Sequence, residues 1–370
     1  MKTDGERRLA VEQAPTCDKS EDAPSVVFFS AVHRAFEEAE RVAGSVICSY
    51  VIGGYSIQLR FAGPALVPFI TPALEHLAER TDRPPSLTVC LVDSASTHTE
   101  LPLPPWKGVD YTSGGNMWRL LREQFKVLFE PDAGILDVVD SEKNLAIYWV
   151  RSCHDLRFYE KASPLRTLLY WWMREHDRQM VHSAATGTPT GGVLIGGKGG
   201  SGKTTTSLVC LDSGLLYAGD NYILLSQESA PVAHSVYSSC TLHSQHMLTR
   251  LPWLAAKASN PDKLGVEKAL VFVHEHYPES VATSVAVKAI LMPEVTGQRA
   301  TKLRSISPAQ CLALFAPSSI FNLPAAGPED FRYIARFVKR VPSYVLELGA
   351  DLSAIPDLVK GLLSSPSVST

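Results

Sequence analysis

Residues 197–204 read GKGGSGKT and fit the pattern G-x-x-x-x-G-K-[ST] at every fixed position. Glycine suits such a stretch because the absence of a Cβ lets backbone N–H groups turn inward around an anion at positive φ. A helix that opens at the end of the loop adds the partial positive charge of its N-terminus. Lys203 supplies a point charge for the β- and γ-phosphates, and the Thr204 hydroxyl is placed to ligate Mg²⁺. The residues expected to hold a nucleotide are Gly197, Gly199, Gly200, Ser201, Gly202, Lys203 and Thr204. Thr205 and Thr206 read as helix residues, and Thr205 is counted with the nucleotide-binding set.

A phosphate loop needs a carboxylate for its metal. LLYAGDNYILL offers Asp220, with Asn221 beside it. The helix that begins at Lys203 carries the chain roughly 15 Å away at about 1.5 Å per residue. After the turn at Ser213-Gly214, a strand over 215–219 returns roughly 16 Å at about 3.3 Å per residue. The two lengths nearly cancel, so Asp220 is expected beside the loop. An aspartate in an apolar strand also needs a reason, because an unpaired buried carboxylate is costly. His182 follows from similar arithmetic. QMVHSAAT, the GTPTG turn and GVLIG predict an antiparallel hairpin that sets His182 opposite Ile195, at the mouth of the loop. A histidine there could steer a phosphoryl group or a hydroxyl nucleophile.

The elements that position these groups occupy the second half of the chain. The loop follows a strand predicted over 193–195 and opens a helix, which is the context the motif requires. Residues 1–24 read as a flexible tail, 25–160 as an α+β domain, 161–178 as a linking helix and 179–365 as the domain that carries the chemistry. In the first half, AVHRAFEEAERVA predicts a helix. SVICSYVIGGYSIQLRFAG predicts a hairpin about Gly53-Gly54, and SLTVCLVDS a strand. PALVPFITPALEHLAER is expected to be helical after its prolines, and NMWRLLREQ to be a short helix. FKVLFEP and ILDVVDSEKNLAIYWVRS predict a strand and a hairpin, so the strands are expected in hairpins rather than in βαβ order. SPLRTLLYWWMREHDR predicts a helix capped by Ser163, with Trp171 and Trp172 packed between the halves.

Composition narrows the function classes. The 370 residues are 45% hydrophobic, enough for a sizeable core. A net charge of -3 gives no broad basic field for nucleic acid and no polybasic tail for a membrane. Seven scattered cysteines without a CxxC pair argue against a disulfide framework and suit a reducing cytosol. No apolar run reaches the roughly 18 residues of a membrane helix. The charged N-terminus lacks the apolar core of a secretory signal. A cytoplasmic protein without nucleic-acid or membrane partners is expected, with homo-oligomerisation left open.

His182-Ser183, the glycine loop and Asp220 at these spacings resemble the HPr kinase/phosphorylase family. The resemblance runs over roughly residues 179–360. It includes VAHSVYSSCTL, SPAQCLALFAPSSIFNLP and VPSYVLELGADLSAIPDLV, the last two being closer to HPr kinase-related proteins than to the HPr-specific enzyme. It implies an α/β fold: a phosphoenolpyruvate-carboxykinase-like P-loop kinase domain with a mixed sheet, preceded here by a smaller α+β domain. It implies ATP and Mg²⁺ as cofactors and a serine hydroxyl on a protein or peptide as acceptor, natural-product precursor peptides included. Lys203 would bind phosphate and Thr204 the metal. Asp220 would act as base or lie close to the metal, and His182 would be the active-site histidine. The family's second acid is Asn221 here, which can ligate a metal through its carbonyl but cannot take a proton. The HPr-specific C-terminal signature is absent, which argues against HPr as substrate.

Other polar residues compete for roles. His243, His246, His274 and His276 lack a cysteine or acid at zinc-ligand spacing. Glu275 and Glu294 each follow an apolar strand, and Glu294 is a rival for the metal. Arg299, Arg304 and Arg340 are candidates for offsetting phosphoryl charge. No guanine-reading motif is present. Transfer to a small-molecule hydroxyl and nucleotide sensing without transfer stand as the alternative functions.

Overall fold

The computed structural model describes residues 23–79, 83–106 and 118–364. Nearly all of the expected flexible tail, and the start of the expected helix NMWRLLREQ, lie outside the described residues. The chain folds into a mixed α/β structure with two large sheets.

The first sheet holds β1 (Ser45–Ile52), β2 (Tyr55–Ala62), β3 (Leu87–Asp93), β4 (Trp118–Leu121), β5 (Phe125–Glu130), β6 (Ile135–Asp140) and β7 (Leu145–Val150), in the order β1-β2-β3-β7-β6-β5-β4. Gly53 and Gly54, both at positive φ, turn β1 into β2 as expected. The hairpin of β6 and β7 is also as expected. Two expectations fail. Residues 118–121 form an edge strand against β5 rather than a helix, because pairing with β5 overrides the helix propensity of Leu and Arg. β3 lies parallel to both β2 and β7, so the sheet is not built from hairpins alone.

The helix Ala23–Ala43 covers one face of this sheet. Its buried residues Phe29, Val32, Phe36 and Ala39 recur at helical spacing, while Glu37, Glu38 and Arg41 face solvent. Burying the two phenylalanines contributes about 2 kcal/mol each. On the other face, the helix expected after the prolines of PALVPFITPALEHLAER does not form. Prolines at 68 and 72 interrupt the hydrogen-bond ladder, leaving a helical turn at Val67–Ile70 and 3₁₀ turns at Thr71–Ala73 and Glu75–Leu77.

The helix Arg166–Arg174 joins the two sheets. It starts three residues later than expected, after Leu165 at φ +57°, and Ser163 does not cap it. Thr167 to Met173 are all buried, so the helix has no solvent face. Trp172 donates to the Asn144 side chain (2.8 Å) next to β7, whereas Trp171 donates to the Pro324 carbonyl (3.1 Å). One hydrophobic core runs from Ile57 and Leu74 through these tryptophans to Leu224, Tyr237 and Leu270.

The second sheet uses β8 (Gln179–Val181), β9 (Ala184–Thr188), β10 (Gly191–Ile195), β11 (Leu216–Gly219), β12 (Ile223–Ser226) and β13 (Val232–Ser235). After a separate pair, β14 (Ser239–Leu242) with β15 (Ala269–Phe272), it takes in β16 (Ser284–Val295), β17 (Lys302–Ile306) and β18 (Ser343–Leu348). Its main path is β11-β9-β10-β16-β13-β12-β8, with β18 and then β17 added beside β16. β10 and β18 lie parallel to β16, and the other pairs are antiparallel. Cys210 and Leu215 pack with Val193, Ile195, Ile355 and Val359 on one face, and Phe315, Ile334 and Phe337 with Leu194 on the other. No described helix is long and apolar enough to cross a membrane.

Candidate active site

β10 runs into the glycine loop, and the helix Lys203–Asp212 leaves it, as the motif demands. Gly197, Gly200 and Gly202 take φ of +123°, +78° and +110°, the region that excludes most side chains. At Gly202 there is a second constraint, since a Cβ would stand 2.4 Å from Leu348 Cδ1. The loop therefore has the backbone freedom to turn its N–H groups toward one anion. Lys203 is buried and folds over its own loop, donating to the carbonyls of Gly197 (2.8 Å) and Lys198 (3.2 Å). Burial lowers its pKa, with Asp220 opposing that effect and Lys268 adding to it. Ser201 and Thr206 are buried with hydroxyls that find no partner in the protein.

β11 returns antiparallel to β9 with an irregularity at Gly219, and Asp220 follows it at the loop. The Thr204 hydroxyl donates to Asp220 Oδ2 at 2.5 Å. Asp220 has no exposed surface, and its Oδ1 has no hydrogen-bond partner. Burial raises its pKa. The Thr204 hydroxyl, the Asn221 backbone N–H and the charges of Lys203 and Lys268 pull the other way. A hydroxyl and a carboxylate with a free oxygen form the donor set that Mg²⁺ takes from proteins, the rest of its shell being water and phosphate. Asn221 stands at φ +66°, a conformation Asn tolerates through its short polar side chain.

The hairpin register falls two residues from the expected one, yet His182 still lies close enough to the loop to feel the charge of Lys203. Ile195 pairs with Ala184, and the hairpin is β9 with β10 only. β8 pairs instead with β12 at the far end of the path. His182-Ser183 thus bridges two distant strands of one sheet, and period-two pairing does not continue through a bridge. The ring lies 5.6 Å from that of Tyr222, and Nδ1 is 3.4 Å from the Asn322 amide nitrogen. Burial, then the charges of Lys203, Arg166 and Lys268, press its pKa down to about 3, so the imidazole is neutral near pH 7. Arg166 enters through Tyr222, whose hydroxyl accepts its Nη1 at 3.2 Å.

Two cavities flank the loop. The smaller, about 360 Å³, is lined by Thr205, His243, His246, Arg250 and Lys268 together with Lys203, and no acid lines it. His246 Nε2 lies 2.9 Å from the Thr205 hydroxyl, and Arg250 Nη1 donates to the Ala350 carbonyl at 3.1 Å. The larger, about 830 Å³, opens against Gly197 to Ser201 and is walled by Met292, Leu314, Pro317 and Phe321. Glu294 and Lys198 also line it. β16 does not end at Pro293 but continues through Glu294 to Val295, which presents this carboxylate at the cavity.

Among the rival candidates, Arg304 pairs with Glu347 at 2.9 Å, and Arg340 donates to the carbonyls of Gln227 and Ser229, so both are engaged elsewhere. Among the described residues no three His, Cys, Asp or Glu gather as a metal site. The four histidines disperse: His243 and His246 go to the small cavity, and His274 lies beside His76 at 6.2 Å. Sequence reasoning passed over Arg250, Lys268, Asn322, Tyr222 and Arg166. Lys268 had one legible signal, its place directly before the apolar strand ALVFV.

No family model matches the chain, and no curated protein matches it. Among solved structures, the HPr(Ser) kinase/phosphatase from Coxiella burnetii is similar to it at 15% identity, over 50% of this chain and 93% of that one, with a TM-score of 0.29. A likeness at that level transfers neither fold nor activity.

Proposed function

We propose that this protein is an ATP- and Mg²⁺-dependent phosphotransferase that moves the γ-phosphoryl group to a hydroxyl, that of a serine in a protein or peptide. One observation carries the reading. Asp220 is fully buried, accepts the hydroxyl of the phosphate-loop threonine on one oxygen, and keeps the other without a partner. An isolated structural carboxylate in that state is costly, whereas a cation-holding one is not.

The loop amides and the start of the helix Lys203–Asp212 hold the phosphates. Lys203 exchanges its bonds to Gly197 and Lys198 for phosphate oxygens. Thr204 and Asp220, with the Asn221 carbonyl as a further donor, hold Mg²⁺. When bound, that ion would offset charge that develops on the phosphate oxygens. In transfer, the acceptor oxygen bonds to the γ-phosphorus, the bond from phosphorus to ADP breaks, and the hydroxyl proton leaves to solvent, with neutral His182 orienting the hydroxyl. Arg250 and Lys268 in the small cavity offset charge on the nucleotide side. The catalysis is mostly positioning and charge stabilisation.

Asn221 favours a second reading, a nucleotide sensor without transfer, because it removes one carboxylate from the site. Labelling separates the two. Purified protein, γ-³²P-ATP, Mg²⁺ and a lysate of its own source are mixed and fractionated by size, with Lys203→Ala and Asp220→Ala as controls. A labelled macromolecule that requires both residues supports the proposal, and label confined to small molecules moves the acceptor to that class. ATP binding that needs Lys203, with no transfer, supports the sensor.

A further inference from the structure

The large cavity points to what the acceptor looks like, and this inference rests on the phosphotransferase reading above. Met292, Leu314, Pro317 and Phe321 form an apolar part of its wall beside the polar Lys198, Glu294, Ser318 and Asn322, and three of its apolar side chains stand unusually exposed: Phe321 at 86%, Val295 at 69% and Leu314 at 49%. Large apolar groups held in water at a cavity mouth mark a binding surface. The direction of the triphosphate decides which ligand meets it. Lys203, the residue that reaches β- and γ-phosphates, has its ammonium at the Gly197 and Lys198 carbonyls, so the γ end of the nucleotide lies at that end of the loop. Those two residues line the large cavity. The nucleoside end leaves past Thr205, toward the small cavity with Arg250 and Lys268. The large cavity is thus continuous with the place where the acceptor hydroxyl must arrive. Asn322 ties it to His182, since this one side chain lines the cavity and approaches the histidine at 3.4 Å.

We infer that the groove of Leu314, Phe321, Val295 and Met292 takes a large apolar side chain of a polypeptide acceptor, next to the serine that receives the phosphoryl group. A sugar or a similarly polar metabolite could use Lys198, Glu294, Ser318 and Asn322 but would lose water against Leu314, Phe321, Val295 and Met292 without return. A polypeptide can bury an aliphatic or aromatic side chain there and still present a hydroxyl to the loop. The serine Oγ–P bond forms, the P–O bond to ADP breaks, and the serine proton leaves to solvent.

The test uses the full-length protein with Mg²⁺·γ-³²P-ATP and degenerate peptides carrying one fixed serine. The wild type should select Leu, Ile, Met or Phe at a position beside the serine by roughly tenfold over Asp or Ser, the worth of one buried apolar side chain. Phe321→Ser with Leu314→Ser, at exposed positions where folding is not at stake, should abolish that selection and leave the affinity for Mg²⁺·ATP unchanged. Selection that is absent, or that survives the substitutions, overturns the inference. Weakened ATP binding in the variant overturns it too, by giving the groove to the base. Label on small molecules alone overturns it while the phosphotransferase reading stands. ATP binding that does not need Lys203 removes that reading itself.

Discussion

Asp137 on β6 and Asp220 after β11 are both buried, at 4% and 0% exposure, and each keeps one carboxylate oxygen without a partner. Their surroundings differ. Asp137 lies near Glu130 and Glu160, whose charges add to burial in raising its pKa far above the usual range, and only Arg166 opposes them. Asp220 is raised by burial alone, while a hydroxyl, a backbone N–H and two lysines favour its charged form. The charges around the first acid thus favour its protonated form, whereas those around the second favour its charged form against burial. Burial and an orphan oxygen do not by themselves mark a site. The sign of the surrounding charge does.

The comparison breaks most visibly in activity. Asp220→Asn should lower phosphoryl transfer by roughly a hundredfold to a thousandfold, the scale for removing one preorganised charge-stabilising group. Asp137→Asn should stay within about twofold, because it replaces a neutral acid with a neutral amide of the same shape. Equal losses in the two variants, measured by initial rates of label transfer, would end the distinction.

The next effect concerns the loop that sets Asp220 apart. Gly202→Ala puts a Cβ at φ +110° and 2.4 Å from Leu348 Cδ1, which costs about 1–3 kcal/mol. It should lower the melting temperature and weaken nucleotide binding. Gly199→Ala, where a Cβ meets nothing within 4 Å of the protein, should leave the melting temperature of the nucleotide-free protein unchanged. Calorimetric melting of both variants with and without Mg²⁺·ATP reads this directly.

The acidic cluster makes a pH prediction. Burial raises Glu160 from its ordinary value to about 7, with Arg166 opposing and Glu130 adding to the rise. A carboxyl whose folded pKa lies above its unfolded one binds more protons in the folded state. Its contribution is complete below the unfolded pKa and is lost as the pH rises through the folded one. Stability of the nucleotide-free protein should therefore fall between about pH 4.5 and 7, and Glu160→Gln should flatten that fall. Urea midpoints at several pH values check it. A variant whose stability falls as steeply as the wild type would remove Glu160 from the cluster's account. The smallest effect is at Asn221. Asn221→Asp adds a carboxylate at the metal and should lower the Mg²⁺ concentration for half-maximal nucleotide binding about threefold.

The strand–glycine loop–helix unit and the return of Asp220 were legible because both depend on local rules: a fixed spacing, and two regular elements whose lengths cancel. The hairpins at Gly53-Gly54 and between β6 and β7 were legible for the same reason. The proximity of His182 to the loop was legible, but its register was two residues off because β8 leaves the hairpin to pair with β12, a partner far along the chain that spacing cannot reveal. The strand at 118–121 was read as a helix because its partner β5 outweighs its own propensity. Arg250 and Lys268 gave almost no signal, since their approach to Thr205 depends on how β15 and the segment from His243 to Arg250 pack against the loop.

The most direct measurement is Mg²⁺-dependent ATP binding by titration calorimetry in the wild type, Asp220→Asn and Asp137→Asn. The account predicts that Mg²⁺ strengthens ATP binding in the wild type and in Asp137→Asn, and that the strengthening disappears in Asp220→Asn. Strengthening that survives in Asp220→Asn would contradict it, because the metal would then be held by something other than Asp220.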